Sequence, residues 1–249
     1  MNKMDSQSNN PCKHGFQVSC GNCQLSAICL PIALETKEID QLDNIIQRGR
    51  PVRKGEHIFR EEDDFTSVYA VRSGSLKTYS ITKDGKEQVT GFYLPGEIFG
   101  LDGIGDGRHT NSAKALETSA ICEIPFHQLQ ELSGKVAGLQ RNMFHIIGQE
   151  INYDKQLITL LSKNSADERI ASLLISISSR NARRKLSALC FRLPMSRTDI
   201  GNYLGLTVET VSRTFSRFQK LELISVDNKE ITLLDQAKLQ EIAHGVEAA

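Results

Sequence analysis

The chain contains no run of about 18 apolar residues, so no segment reads as a membrane-spanning helix. Its first ten residues, Met1 to Asn10, are polar and hold no apolar stretch, which argues against a secretory leader at this end. There is no phosphate-cradling glycine loop and no nucleophile–base constellation, so no enzymatic chemistry is expected. Net charge is missing as well: 30 Lys and Arg balance 30 Asp and Glu. Six cysteines without a leader point to a reducing compartment, the cytoplasm, and away from a disulfide framework. With 249 residues, 39% hydrophobic and 24% charged, one large domain or two modest ones can each bury a core.

The neutral total hides an asymmetry. Between Lys163 and Leu221 there are eleven Lys and Arg against four Asp and Glu, so the rest of the chain is acidic by the same margin. A basic third on a neutral chain is the footprint of a nucleic-acid module joined to something else. The cysteines are just as unevenly spread. Cys20, Cys23 and Cys29 stand as Cys-x2-Cys-x5-Cys, a spacing that lets sulfurs converge on one soft metal centre. Four ligands are usual, and spacing alone leaves Cys12, Cys122 and Cys190 open as the fourth; His14, in a polar tail, reads as solvated.

Along the chain, residues 1–11 read as disordered and 12–30 as the cysteine segment. Glu35–Arg48 has helical periodicity, with Gly49 and Pro51 as its stop. From Val52 to Pro125, short β-prone runs alternate with turns: 68–72, 76–82, 88–94, 112–115 and 120–124. Asp84-Gly85 predicts a hairpin in which both residues take positive φ, and Asp102–Gly107 a flexible loop. Many short antiparallel strands imply a sandwich or roll.

From Gly138 a helix of about 25 residues follows. Gln140, Phe144, Ile147, Ile151, Asp154, Ile158 and Leu161 form a heptad seam, which predicts a parallel homodimer. Leu139, Met143, Ile146, Leu157 and Leu160 form a second apolar set facing the roll. Asp154 falls in the seam, where two copies repel, so the dimer is expected to be marginal. Then come a helix at 166–180, a basic loop Arg183–Lys185 and a short strand at 191–194. A capped helix runs from Ser196 to Leu204, a turn follows at Gly205-Leu206, and a second helix runs from Thr207 to about Leu221. A two-stranded wing spans 224–232. Together they spell a winged helix-turn-helix. In the second helix Val208, Val211, Phe215 and Phe218 are expected to face inward, leaving Glu209, Ser212 and Arg213 for base edges in the major groove.

A roll, a long dimer helix and a winged helix carrying Val208-Glu209-Thr210-Val211-Ser212-Arg213 resemble the Crp–Fnr family of bacterial regulators over nearly the whole chain. With the cysteines added, the sequence is similar to the oxygen-sensing branch of that family. The resemblance implies an α+β fold with a cyclic-nucleotide-binding-like roll. Cluster-binding, roll, dimer-helix and DNA-binding parts are then expected at 1–30, 31–138, 139–162 and 163–249. It implies one oxygen-labile 4Fe–4S cluster per subunit on Cys20, Cys23, Cys29 and Cys122, leaving out Cys12 and Cys190. It also implies a homodimer that binds palindromic double-stranded promoter DNA without oxygen and activates or represses transcription, and an inactive monomer in air. Glu209, Ser212 and Arg213 become the base readers, and RNA polymerase a partner near Ser73 and Gly85. The cyclic-nucleotide branch resembles Gly-Glu-Leu followed by Arg-Ser-Ala; here the matching stretches are Gly100-Leu101-Asp102 and Asn111-Ser112-Ala113. Arginine and glutamate are both missing, so no cyclic nucleotide is expected. Beside this reading stand a zinc-structured or thiol-based DNA-binding regulator and, more distantly, an electron-transfer protein or iron–sulfur enzyme.

Overall fold

The computed structural model describes residues 19–163 and 165–245; the tail 1–11, Cys12 and His14 lie outside the described residues. Helix α1 (Thr36–Ile45) starts where the Glu35 N–H donates to Glu38 Oε2 at 2.9 Å. It ends a turn before the stop signals because Gln47 joins a sheet edge, exchanging backbone hydrogen bonds with Glu123 at 2.8 and 2.9 Å. Seven strands follow: β1 (His57–Phe59), β2 (Ser67–Ser73), β3 (Leu76–Ile81), β4 (Glu87–Tyr93), β5 (Ile98–Phe99), β6 (Ser112–Ala115) and β7 (Ala120–Pro125). They pair as two antiparallel sheets, β1-β6-β3-β4 and β5-β2-β7, closed over Phe59, Tyr69, Val71, Leu76 and Phe99. This is the roll.

Two turn expectations need correcting. At the β3–β4 hairpin only Gly85 takes positive φ (+74°). The Gly85 N–H reaches Thr82 O at 2.8 Å, giving a longer turn in which the Asp84 backbone needs no left-handed conformation. The 102–107 loop is tied down. The Asp102 carboxylate accepts from the backbone of Thr110 (2.8 Å) and Asn111 (2.9 Å), and Phe65 N–H donates to Gly107 O at 2.9 Å.

Helix α2 (Phe126–Ser133) leads from the roll into α3 (Ala137–Lys163), the long helix. Leu139, Met143 and Ile146 pack, as expected, with Leu30, Leu42, Val68, Ile98 and Ile124 under the roll. Leu160 instead meets the C-terminal core, and Leu157 lines the space between, because α3 runs on past the residues that pack under the roll. Helix α4 (Ala166–Arg183) opens on Ser165, whose hydroxyl accepts the Glu168 N–H. It absorbs Arg183 from the expected basic loop.

Strand β8 (Cys190–Arg192), α5 (Arg197–Leu204), α6 (Val208–Lys220), β9 (Ile224–Asp227), β10 (Glu230–Leu233) and α7 (Gln236–Ala243) follow in the described residues. The wing has three strands, ordered β8-β10-β9, and Asn228 makes its turn with φ +54°.

The C-terminal core does not stop at α4. Tyr79, Val89, Phe92 and Leu94 of the roll belong to the same buried cluster as Ile170, Leu174, Ile200 and Phe215. Polar bonds align the two parts. Lys77 Nζ bridges Glu87 (2.7 Å) and Asp199 (2.9 Å), and Arg180 pairs with Glu97 and the Phe92 carbonyl (2.6 Å). The Asn202 side chain imitates a strand, accepting the Val89 N–H at 2.6 Å and donating to the Glu87 carbonyl. Asn202→Ala leaves both β4 groups unmatched, and should lower unfolding free energy in urea by about 1–3 kcal/mol. An unchanged denaturation midpoint would show that these bonds contribute nothing.

Candidate functional site

Residues 19–34 are a succession of tight turns. Cys23 N–H donates to Cys20 O (3.3 Å), Ser26 N–H to Cys23 O (3.1 Å) and Cys29 N–H to Leu25 O (3.0 Å). Coiling this tightly points several sulfurs to one side. The segment is held from four directions. Leu30 is buried in the core below the roll, and Asn142 of α3 donates to the Leu30 carbonyl at 2.9 Å. Asp43 of α1 accepts the Cys20 N–H at 2.7 Å. Ile28 lies over Gly96, where an added Cβ would come within 2.5 Å of its Cδ1.

Cys122 arrives from the other end of the roll. It sits in β7 opposite Ala70 of β2. The result is one small cavity, about 30 Å³, lined by Cys20, Cys23, Cys29 and Cys122 together with Arg48, Arg72 and the apolar Ile46, Val71 and Ile124. Among the described residues, no three of His, Cys, Asp or Glu stand close enough to share one ion. The donor chemistry nevertheless fits a soft metal centre, with four sulfurs, an apolar wall and two guanidiniums beside them. Burial, with Asp43 adding to it, pushes the Cys20 thiol up to about 12, and burial does the same to Cys29. Burial also raises Cys122, against the pull of Arg48 and Arg72. Without a metal these thiols therefore stay protonated at neutral pH, and a metal must displace their protons. Cys190 lies apart, exposed in β8.

Asp43, Arg48, Arg72 and Asn142 were not legible as parts of this site. They come from α1, the chain just beyond it, β2 and α3, and no local motif links them to the thiols.

The second region is the α5–α6 pair. Gly205 turns the chain with φ +64°, and Gly201 allows Leu206 O to pass where a Cβ would be 2.6 Å away. Thr207 then caps α6 through the Thr210 N–H at 3.2 Å. Val211, Thr214, Phe215 and Phe218 are buried. Val208 is not: it stands 39% exposed at the first helical position, and Thr214 takes its place on the inner face. The helix is packed through its later turns, so its first residue overhangs the core. Glu209, Ser212 and Arg213 are all exposed on the outer face. Hydrogen bonds at the start of the helix hold the Glu209 carboxyl below its ordinary value. Arg197 covers the Phe215 ring, 3.3 Å from its centroid.

The third is the outer face of α3. Phe144 (69%), Ile151 (49%) and Ile158 (66%) are exposed, Asp154 is exposed among them, and Ile147 is half-buried. Local desolvation nevertheless raises the Asp154 carboxyl above its ordinary value. At the stretches aligned with a nucleotide pocket, Asp102 already takes the N–H groups of Thr110 and Asn111, so an anion would have to displace a carboxylate.

The two halves of the chain match known domains. Residues 49–135 match the cyclic nucleotide-binding domain, and residues 168–242 the Crp-like helix-turn-helix domain. The chain is 52% identical to the transcriptional activator protein Anr of Pseudomonas aeruginosa, over 92% of this chain and 94% of that one. It is 48% identical to the fumarate and nitrate reduction regulatory protein of Escherichia coli, over 92% of each. The solved structure of FixK2 from Bradyrhizobium japonicum superposes with a TM-score of 0.73 at 30% identity, covering 82% of this chain and 98% of that one. These relatives are transcription regulators, not enzymes. A roll, a long helix and a DNA-binding helix-turn-helix in this order, shared at about half of all positions with such regulators, make this protein a member of the Crp–Fnr family of transcription regulators.

Proposed function

We propose that this regulator is an oxygen sensor, a cytoplasmic homodimer that binds palindromic promoter DNA when each subunit holds a 4Fe–4S cluster. The observation that carries the reading is the convergence of Cys20, Cys23, Cys29 and Cys122 on one cavity, although Cys122 lies far along the chain. These four residues would hold the cluster as thiolates. Bound there, it supplies an oxygen-labile crosslink between the cysteine segment and the roll. Burial of Leu30 and the Asn142 bond to its carbonyl connect that segment to α3, so its ordering reaches the dimer helix. Gln24–Ile28 forms the outer loop and sets access of oxygen. Phe144, Ile147, Ile151 and Ile158 pair with their counterparts in a second chain, with Asp154 opposing the association. In the dimer, two α6 helices one DNA turn apart present Arg213 to guanine, Glu209 to cytosine and the permissive Ser212. The roll near Ser73 and Gly85 faces RNA polymerase, and the outcome at a promoter is activation or repression.

One observation favours a second reading. Four cysteine thiols are also the donor set of a structural zinc site, and all four line this one cavity. A zinc-structured regulator would use the same thiols and bind DNA regardless of air. Anaerobic purification separates the two. A brown protein with iron and labile sulfide, which bleaches in air and loses DNA affinity with its colour, is the expected result. Colourless protein with one tightly bound zinc and unchanged DNA affinity in air would overturn the sensor reading.

A further inference from the structure

Arg48, just beyond α1, has no part in the function above, yet its guanidinium stands against two of the four thiols. Its Nη2 lies 3.5 Å from Cys20 Sγ, and the same guanidinium faces Cys122. Nη2 also pairs with Asp43, which in turn accepts the Cys20 N–H at 2.7 Å. Asp43 thus locks the arginine and the start of the cysteine segment into one unit. Arg48 Nε is buried and has no hydrogen-bond partner among the described residues. A buried, unmatched N–H on a guanidinium that lines the thiol cavity is a donor waiting for an anionic acceptor, because native proteins rarely leave such a group unmatched.

We propose that Arg48 is the hydrogen-bonding counter-cation of the iron–sulfur core and thereby sets its reduction potential. This rests on the cluster reading above. An iron–sulfur cube on four thiolates is a net dianion, and Arg48 and Arg72 are the cations lining its cavity. Charge beside a cluster and hydrogen bonds to its sulfurs are the protein's main means of tuning it. Arg48 supplies both. Its planar fork satisfies Asp43 and a sulfur together, which the point charge of lysine does not. Taking away the cation and its N–H groups destabilises the more negative, reduced core, so the potential falls.

The test compares full-length wild type, R48Q, R48K and D43N, loaded with iron and sulfide under argon. Iron and labile sulfide per chain are measured first, then the one-electron potential by mediated titration, then the bleaching rate in air. R48Q should titrate at a distinctly more negative potential and bleach several-fold faster. R48K should fall between R48Q and wild type, and D43N, which keeps the cation and removes a carboxylate beside Cys20, at or above the wild-type potential. If R48Q fails to load, a negative shift in R48K alone supports the proposal. Equal potentials in every loaded Arg48 variant and wild type would overturn it. So would equal shifts in R48Q and D43N, which would mean that Arg48 merely braces Asp43. Wild type without labile sulfide is a different failure, that of the cluster reading itself.

Discussion

Cys122→Ser should abolish iron loading and anaerobic DNA binding while leaving the fold in place. Serine differs from cysteine at one atom, and β7 keeps its pairing with β2 through backbone bonds that the side chain does not make. What disappears is the one sulfur contributed by the sheet. Cys20, Cys23 and Cys29 all lie on the turn-rich segment, so without Cys122 a metal core would no longer tie that segment to the roll. Taking a dimer from about 1% to 99% populated requires about 5.5 kcal/mol of bias. Losing the tie should therefore weaken operator binding by up to roughly four powers of ten. Circular dichroism should be unchanged, iron and sulfide should fall to background, and anisotropy with an operator duplex under argon should reveal the loss. Cys190→Ser is the matched control, because that thiol is exposed in the wing and far from the cavity. A Cys122→Ser protein that loads four irons and binds DNA as wild type does would remove Cys122 from the site.

The second large effect concerns the dimer helix. Burying Phe144, Ile151 and Ile158 against a second chain is favourable, at about 1.5–3 kcal/mol for each side chain fully covered. Part of that gain is offset by the entropy of association and by Asp154. Two carboxylates facing each other at about 4 Å repel by roughly 4 kcal/mol in a medium of effective dielectric constant 20. Opposing contributions of similar size leave the pair close to balance, where a modest input decides the outcome. Asp154→Ala removes the repulsion and adds a strong helix former. Iron-free Asp154→Ala should therefore dimerise about a hundredfold more tightly than iron-free wild type, as measured by sedimentation equilibrium. Indistinguishable dissociation constants would place Asp154 outside the seam and remove its part in the switch.

Where a signal is repeated along the chain, the fold was legible before any coordinates. Alternation and turns outlined β2 to β4, β6 and β7, and capping residues marked α5 and α6. The apolar repeat of 139–161 marked α3, with its outer face uncovered in the single chain. Local conformation obeys local chemistry, and each of these elements carries its own period or cap. The failures have a common cause. Helix α1 stops early because Gln47 pairs with Glu123, and Leu160 faces the C-terminal core because of how far α3 extends. Val208 is exposed because α6 is seated by its later turns. Each outcome depends on a partner remote in sequence.

The site divides along the same line. That three closely spaced thiols form a soft-metal motif, and that Glu209, Ser212 and Arg213 share one helix face, follows from spacing alone. Choosing Cys122 over Cys190 on physical grounds needed the β2–β7 pairing, which puts one thiol at the cavity and leaves the other in the wing. The Asp43–Arg48 pair beside Cys20, and the roll residues that complete the C-terminal core, depend just as fully on tertiary packing. Side chains from separate elements meet only after the chain closes on itself, and no local period or cap records which of them will be neighbours.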